Sequence, residues 1–127
     1  MIDALFNQPS YAAAKKMLDA TVLRHEAIAS NLANLETPQY KRLDLAPSFS
    51  TELQAAVASQ NSGQLAGIRP SLAVDASAVA SKQDGNSVQL ETELMQLNQN
   101  TLAHTLETQL VTGELLRLRL AVTGHAS

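Results

Sequence analysis

The sequence contains no cysteine and no tryptophan, and aromatic residues make up only 3% of its 127 residues. Without cysteine, disulfide bonds, cysteine-ligated metals and thiol catalysis are excluded. With so few aromatic side chains, the 45% of residues that are hydrophobic are mainly Ala, Leu and Val. Such residues suit closely packed helices better than a thick globular core. The length allows one domain.

The sequence also lacks a basic excess and long hydrophobic runs. Its formal net charge is -3, which argues against nucleic-acid binding, because nucleic-acid binders usually carry a basic face. No window approaches the roughly 18 consecutive apolar residues that a membrane-spanning helix needs. The first residues, MIDALFNQPSYAAAKK, have an acid at Asp3 and no basic run before a short apolar patch. We therefore expect no cleavable secretion signal.

Two segments, about 8–34 and 88–122, carry apolar residues at steps of three and four positions. This spacing predicts helices, each with one apolar seam. The seam residues are Leu18, Ile28, Leu32, Leu94, Leu97, Val111, Leu115 and Leu118. We predict a mainly α fold in which two long terminal helices pair as an antiparallel, coiled-coil-like hairpin.

A second set of leucines lies on a neighbouring face of the C-terminal segment. Its members are Leu102, Leu106, Leu110, Leu116 and Leu120. One partner helix can cover only one apolar stripe, so a hairpin leaves this second stripe uncovered. Exposed apolar stripes of this size usually mark interaction surfaces. We therefore predict that these leucines form an assembly interface.

The middle of the chain is rich in Ala, Ser, Gln, Asn and Gly, which predicts a loop-rich segment. Within it, a short helix at about 50–58 and an extended piece at about 71–75 are possible. The chain thus divides into residues 1–45, 46–86 and 87–127. Asn86, with Gln89 three residues later, resembles a capping box that opens the C-terminal helix.

Histidines and carboxylates are the first candidates for chemistry. A metal site would have to bring His25, His104 and His125 together with a carboxylate such as Glu26 or Glu107. The simpler interpretation is that the first two histidines are seam residues tolerated at polar interfaces. The sequence contains no phosphate-binding loop and no nucleophile elbow. We expect no enzyme activity, no metal, no cofactor and no small-molecule substrate.

The remaining charged residues have structural explanations. Glu91 and Glu93 are two positions apart, so on a helix they point in different directions and do not form an acid-base pair. Their place in the first turns of a helix favours the helix dipole. Acids intersperse the basic residues Lys15, Lys16, Lys41 and Arg42, which predicts a solvated face.

The stretch SNLANLETPQYK resembles the signature of the flagellar axial proteins, which are the rod, hook and hook-associated subunits. That signature reads Asn-x-x-Asn-x-x-Thr-Pro-Gly-Tyr and ends the first long helix. The matching residues are Asn31, Asn34, Thr37, Pro38 and Tyr40, whereas Gln39 replaces the usual Gly. The stretches KRLDLAPSFSTEL, DGNSVQLETELMQL and QLVTGELLRLRLAVTG are similar to the proximal-rod members of the family. The middle of the chain has no match.

The resemblance implies a structural subunit of the flagellar proximal rod. Its implied partners are other copies of itself, other rod subunits, and the adapter and membrane-ring proteins at the rod base. It also implies export through the flagellar type III gate, without a cleavable signal, to the periplasmic part of the basal body. Phe49 and Leu53 match a family element that docks on the export gate, although packing of both against the helices is an equal alternative.

Three other interpretations stay open. The chain could be a different rod subunit, which would have different neighbours in the assembly. It could be a helical-hairpin adaptor or export chaperone that stays in the cytoplasm. A metalloenzyme built on histidine and carboxylate is the third.

The Thr37-Pro38 step predicts a turn that ends the first helix, because proline disfavours helical geometry in the residue before it. A type I turn keeps Gln39 at negative φ, whereas a type II turn would force it to positive φ. We predict the type I turn. In the axial-protein interpretation, the turn directs Tyr40, Lys41 and Arg42 outward, toward a neighbouring subunit.

Overall fold

A computed structural model of the chain describes residues 9–80 and 82–124. The described part is 68% helical, with a long helix near each end, which confirms the mainly α prediction. In chain order the elements are α1 (Pro9–Ala33), β1 (Leu43–Leu45), α2 (Pro47–Ser59), α3 (Ser62–Gly67), β2 (Leu72–Val74) and α4 (Leu90–Thr123). In the described residues, no helix is both long enough and apolar enough to cross a membrane.

Helix α1 buries two of its faces. Ala13 and Ala20 face the middle segment, and their small side chains let its apolar residues approach the helix closely. A second face meets α4: Asn100 Nδ2 donates to Thr21 O at 2.8 Å, and Asn31 Nδ2 donates to Glu93 Oε2 at 3.1 Å. Helix α1 therefore lies between α4 and the middle segment.

The middle segment contributes five of the seven residues of the hydrophobic core cluster. The core cluster consists of Ala13, Ala20, Phe49, Leu53, Ala56, Leu65 and Ile68. Helix α2 ends at Ser59 and is followed by Gln60, which adopts the left-handed conformation. Helix α3 begins after Asn61, whose Oδ1 accepts from Gln64 N at 3.0 Å. The predicted short helix and extended piece are both present, as α2 and β2. The segment is more structured than its composition predicts, because its four large buried apolar residues pack in one cluster with Ala13 and Ala20 of α1.

Strands β1 and β2 form a two-stranded antiparallel ribbon. Leu43 lies opposite Val74, and Leu45 lies opposite Leu72. The pairing continues beyond the strand ends, because Asp75 N donates to Arg42 O at 3.0 Å. This ribbon holds Asp44 and Asp75 beside each other, and both side chains contact Arg42.

The predicted seam is buried in part. Ile28 and Leu118 are buried at 2% and 7% exposure, whereas Leu94 and Leu115 are exposed at 45% and 42%. Leu18, Leu32, Leu97 and Val111 are half-buried. The most buried positions of α4 also include the polar residues Glu93, Asn100 and Glu107. Polar contacts therefore share the α1–α4 interface with apolar ones.

Candidate functional site

A buried ion pair joins the ribbon to the first turn of α4. Glu93 is fully buried and Arg42 is 5% exposed, and Arg42 Nε lies 2.6 Å from Glu93 Oε1. Arg42 Nη1 also lies 2.5 Å from Asp75 Oδ2. Burial alone would lower the pKa of Arg42, but the hydrogen bonds to Glu93 and Asp75 outweigh it and raise the pKa. Arg42 is therefore charged and fixed between three elements, and the predicted solvated face is wrong for this residue.

Two further acids complete the charge cluster. Arg24 of α1 binds both oxygens of Asp44: Nε donates to Oδ1 at 2.8 Å and Nη2 donates to Oδ2 at 3.1 Å. Burial would raise the pKa of Asp44. The hydrogen bonds from Arg24 and from Leu45 N, together with the charges of Arg24 and Arg42, bring that pKa below its usual value. Hydrogen bonds from Ser77, opposed by burial and aided by Arg42, likewise lower the pKa of Asp75. Both acids are therefore ionised at neutral pH.

Asn31, the first residue of the axial motif, binds β1 and α4 at once. Its side chain is fully buried. Its Oδ1 accepts from Leu43 N at 2.8 Å, and its Nδ2 donates to Leu43 O at 2.9 Å and to Glu93 Oε2 at 3.1 Å. Tyr40 OH lies 3.3 Å from Asn31 Oδ1 and 2.9 Å from Ser30 Oγ. One carboxamide thus holds a strand and two helices in register.

Asn86 caps the end of α1 from a distance in sequence. Its Nδ2 lies 2.9 Å from Asn34 O, 3.2 Å from Leu35 O and 2.7 Å from Thr37 O. These carbonyls belong to the end of the helix and the turn after it, where intrahelical donors run out. The predicted capping box is therefore wrong: α4 is preceded by Gln89 without a side-chain cap. The amide of Asn86 serves the other helix instead.

The turn after α1 differs from the sequence prediction. Gln39 has a φ of 61°, and Tyr40 N donates to Thr37 O at 3.3 Å. Positive φ at the third position of a turn is the type II pattern, so the predicted type I turn is wrong. Gln39 N donates to Asp84 O at 2.8 Å, and this contact to the loop before α4 fixes the strained geometry.

The residues after the turn point toward the protein, which corrects a second prediction. Tyr40 and Arg42 bond inward, as described above. Lys41 is exposed, but its Nζ donates to Gly85 O at 2.9 Å within the same chain. Asn31, Tyr40, Arg42, Asn86 and Glu93 are called the polar junction below.

The second feature of the site is the leucine face of α4. It consists of Leu102, Leu106, Leu110, Leu116 and Leu120, which are exposed by 62%, 52%, 56%, 53% and 55%. At 3.6 residues per turn, this face lies roughly 140° around the helix from the buried polar positions that meet α1. The polar junction and the leucine face therefore occupy opposite sides of one helix.

Comparison with known proteins assigns the family. No family model matches the sequence. The chain is 30% identical to the flagellar basal body rod protein FlgB of Borrelia hermsii over 115 residues, covering 76% of this chain and 83% of that protein. The chain belongs to the FlgB family. Two of the motif residues, Asn31 and Tyr40, belong to the polar junction of this FlgB-family chain.

Phe49 and Leu53, the predicted export-docking pair, are buried in the core at 5% and 9% exposure. Docking of this FlgB-family chain through them would have to precede folding. The histidines lie elsewhere: His104 Nδ1 is 2.9 Å from Thr21 Oγ1, and His25 is exposed. His125 lies outside the described residues. Residues 9–80 and 82–124 contain no group of three or more His, Cys, Asp or Glu side chains that could hold a metal.

Sequence reasoning missed the buried polar stripe of α4. Glu93, Asn100 and Glu107 recur every seven residues, and all three are buried. A seven-residue polar period on a predicted helix is a detectable signal, since it places the residues on one face. Glu93 was assigned to the helix dipole because its partner, Arg42, is 51 residues away in sequence.

Proposed function

We propose that this chain is a structural, non-catalytic subunit of the proximal rod of the bacterial flagellar basal body. It polymerises through its terminal helices and transmits torque from the membrane ring toward the distal rod and hook. Membership of the FlgB family supports the rod assignment. The observation that carries the polymerisation is the leucine face, in which five leucines are each more than half exposed. An apolar face of this kind is normally covered by a partner.

We further propose that α1 and α4 pair antiparallel as the axial core. Two contacts support this pairing. Asn31 near the end of α1 contacts Glu93 near the start of α4. Thr21 lies earlier in α1 and contacts Asn100, which lies later in α4, so the two helices run in opposite directions. Residues 1–45 and 87–127 supply the core, and residues 46–86 face outward. The axial motif sets the geometry of this core, because Asn31 and Tyr40 belong to the polar junction.

The proposed partners are other copies of the chain, other rod subunits, and adapter and membrane-ring proteins at the rod base. The chain would act in the periplasmic part of the basal body, after export by the type III gate without a cleavable signal. No nucleic acid or small-molecule substrate takes part in this function. An alternative assignment is a cytoplasmic helical-hairpin adaptor or export chaperone. Finding the chain in purified basal bodies would reject that alternative.

The leucine face is tested by charge. Leu106→Glu or Leu110→Glu should block rod assembly, because burying an unpaired carboxylate costs several kcal/mol. The fold should persist, since both side chains are exposed. Val57→Glu on α2 is a matched control, because Val57 is 42% exposed but lies outside the leucine face. Intact rods and normal motility in both leucine variants would refute the proposed interface.

The export element needs a control for stability. Phe49→Ala should reduce secretion if Phe49 docks on the gate, but it also opens the core at a cost of about 3–5 kcal/mol. Leu65→Ala is the matched control, because Leu65 is fully buried in the same cluster and lies outside the docking element. Secretion should fall for Phe49→Ala and hold for Leu65→Ala. Equal secretion of the two variants would make Phe49 a packing residue.

A further inference from the structure

A row of exposed positions runs along the side of α4 that faces away from α1. Its members are Leu102, Leu106, Gln109, Gly113, Leu116 and Leu120, and all six are exposed. The steps between them are four, three, four, three and four residues. At 3.6 residues per turn, this spacing keeps all six within about 40° of one line along the helix. Two helices pack along rows of this spacing in coiled coils. The row is named the outer seam below.

The outer seam is symmetric about Val111. Each member has a counterpart at the same distance on the other side: Leu102 with Leu120, Leu106 with Leu116, and Gln109 with Gly113. If two copies of α4 pack antiparallel around a twofold axis beside Val111, every member meets its counterpart on the second copy. All leucines of the outer seam then lie opposite leucines. A surface that fits its own copy in this way is what a twofold dimer requires.

Gly113 gives the first argument that a second copy covers the outer seam. Glycine in the interior of a helix is unfavourable relative to alanine. Within the described residues nothing requires it, because a Cβ atom at this position would have no atom within 4 Å outside its own stretch of helix. In the antiparallel pair, Gly113 faces the long side chain of Gln109 of the second copy. The missing side chain then makes room for a large one, as facing positions in packed interfaces require.

Arginines beside the outer seam give the second argument, because they select the direction of the pairing. Arg117 lies on one side of the seam and Arg119 on the other, and both are exposed. In the antiparallel pair they face Ala103 and Thr105 of the second copy, which are uncharged. In a parallel pair each arginine would lie beside its own counterpart, and like charges placed together are unfavourable. The antiparallel pair also brings Leu110 beside Leu110 of the second copy, so the whole leucine face is covered.

We propose that the free chain forms a twofold dimer in which the outer seam of α4 packs antiparallel on the outer seam of a second copy. This dimer goes beyond the proposed function, because a twofold contact closes on itself and cannot propagate along a rod. The dimer and the rod therefore compete for the leucine face. The dimer covers the face before assembly and separates when the chain enters the rod, a step that rests on the proposed function.

Cysteine crosslinking tests the direction of the pairing, because the natural chain has no cysteine. Full-length Leu106→Cys and Leu116→Cys chains are mixed in equal amounts and oxidised. In the antiparallel dimer the two copies of residue 106 lie about 15 Å apart along the helices, at 1.5 Å per residue. A disulfide requires Cβ atoms within about 3.5–4.5 Å, so we expect the mixed disulfide in about tenfold excess over either homodimer. A Val57→Cys chain is the control for random collision.

An exchange of Gln109 and Gly113 tests the proposed packing. Gly113→Gln places two long side chains opposite each other and should weaken dimerisation about tenfold in sedimentation equilibrium, because overpacking is unfavourable. The double variant Gln109→Gly, Gly113→Gln has the same composition as the natural chain and again places glycine opposite glutamine. Its dimerisation constant should return to within about threefold of the natural value, since the two positions are coupled across the contact. Dimerisation of Gly113→Gln as tight as that of the natural chain would refute this packing.

Three results would overturn the dimer. These are a dominant disulfide between two Leu106→Cys chains, crosslinking no stronger than that of Val57→Cys, and a natural chain that stays monomeric when concentrated. Competition with the rod is tested by the double variant Leu106→Cys, Leu116→Cys. Its oxidised, locked dimer should fail to add to rods, whereas the reduced chain should add, and addition of the locked dimer would refute the competition. Absence of the natural chain from purified basal bodies would refute the proposed function alone, because the crosslinking readout does not depend on it.

Discussion

The two halves of the continuous helix α4 differ in the hydrogen bonds that their polar side chains make. In the first half, Glu93 is fully buried and Asn100 is 5% exposed, and each is hydrogen bonded to another element. In the second half, Thr108 Oγ1 donates to His104 O and Thr123 Oγ1 to Arg119 O, within the helix itself. Three leucines of the leucine face, Leu110, Leu116 and Leu120, are exposed in this half. The buried polar groups fix how the elements of one chain pack together. The exposed apolar groups have no such partner within the chain and are available for contacts with another molecule.

The largest loss of stability is expected at Arg42, which pairs with the buried Glu93 in the first half of α4. Arg42→Met leaves the Glu93 carboxylate buried and unpaired, and we expect unfolding free energy to fall by about 3–5 kcal/mol. Urea unfolding measures this loss. Arg24→Met is the control: Arg24 pairs with Asp44 but its side chain is 38% exposed, so its loss should be about 1 kcal/mol or less. A double Arg42→Met, Glu93→Leu variant should recover much of the stability, and equal losses for the two single variants would contradict this account.

The cap on α1 is the next largest effect. Asn86→Ala should reduce the unfolding free energy by about 1–3 kcal/mol, because the fully buried Asn86 amide donates to three carbonyls at the end of α1 and in the turn after it. Asn98→Ala on the exposed side of α4 should change it by less than about 0.5 kcal/mol. Amide exchange should speed up at residues 31–37 in the Asn86 variant only. Unchanged exchange there would show that the cap is dispensable.

Glu107 lies near the middle of α4 and should make the unfolding free energy depend on pH. It is 8% exposed, and its Oε2 has no hydrogen-bond partner among the described residues. Burial raises its pKa above the ordinary value of 4.5. The folded state thus holds the proton longer than the unfolded state, so the Glu107 contribution to stability falls as pH rises from about 4.5 through the raised pKa.

Glu107→Gln should therefore flatten the pH dependence above pH 4.5 and stabilise the protein at pH 7 by about 1–3 kcal/mol. Glu91→Gln, on the exposed side of the same helix, should leave the slope unchanged. Asp44 and Asp75 act in the opposite direction, because their lowered pKa values remove stability as pH falls below the ordinary aspartate range near 3.8. A wild-type slope retained in Glu107→Gln would exclude Glu107 as its source.

The smallest effect is expected at Gln39. Its φ of 61° costs a non-glycine residue about 1 kcal/mol or more. Gln39→Gly relieves that strain but gives the unfolded chain more freedom, so we expect a net stabilisation of about 0.5–1 kcal/mol. Gln39→Ala keeps the Cβ and should give no gain. If alanine and glycine behaved alike in thermal unfolding, backbone strain would not be the cause.

Local patterns in the sequence predicted the local elements. Periodicity gave α1 and α4 within about two residues, and composition gave the places of α2 and β2. The polar junction was beyond such reasoning, because Arg42 and Glu93 are each ordinary surface residues by local criteria. Asn86 was misread for a similar reason: its side chain satisfied a local capping pattern, but carbonyls about 50 residues earlier compete for its amide. The exposure of the leucine face could be predicted, because α4 carries two apolar stripes and one partner helix covers only one of them.

Asn31 has a consequence for the ribbon edge. An exposed strand edge offers free N–H and C=O groups on which a strand of another molecule can add. On the side of β1 away from β2, the Leu43 N–H and C=O are both bonded to the Asn31 carboxamide. A foreign strand would have to displace a fully buried side chain to pair there. The residue that holds the junction together therefore also protects β1 against unwanted strand addition, in a protein whose proposed assembly proceeds through helices.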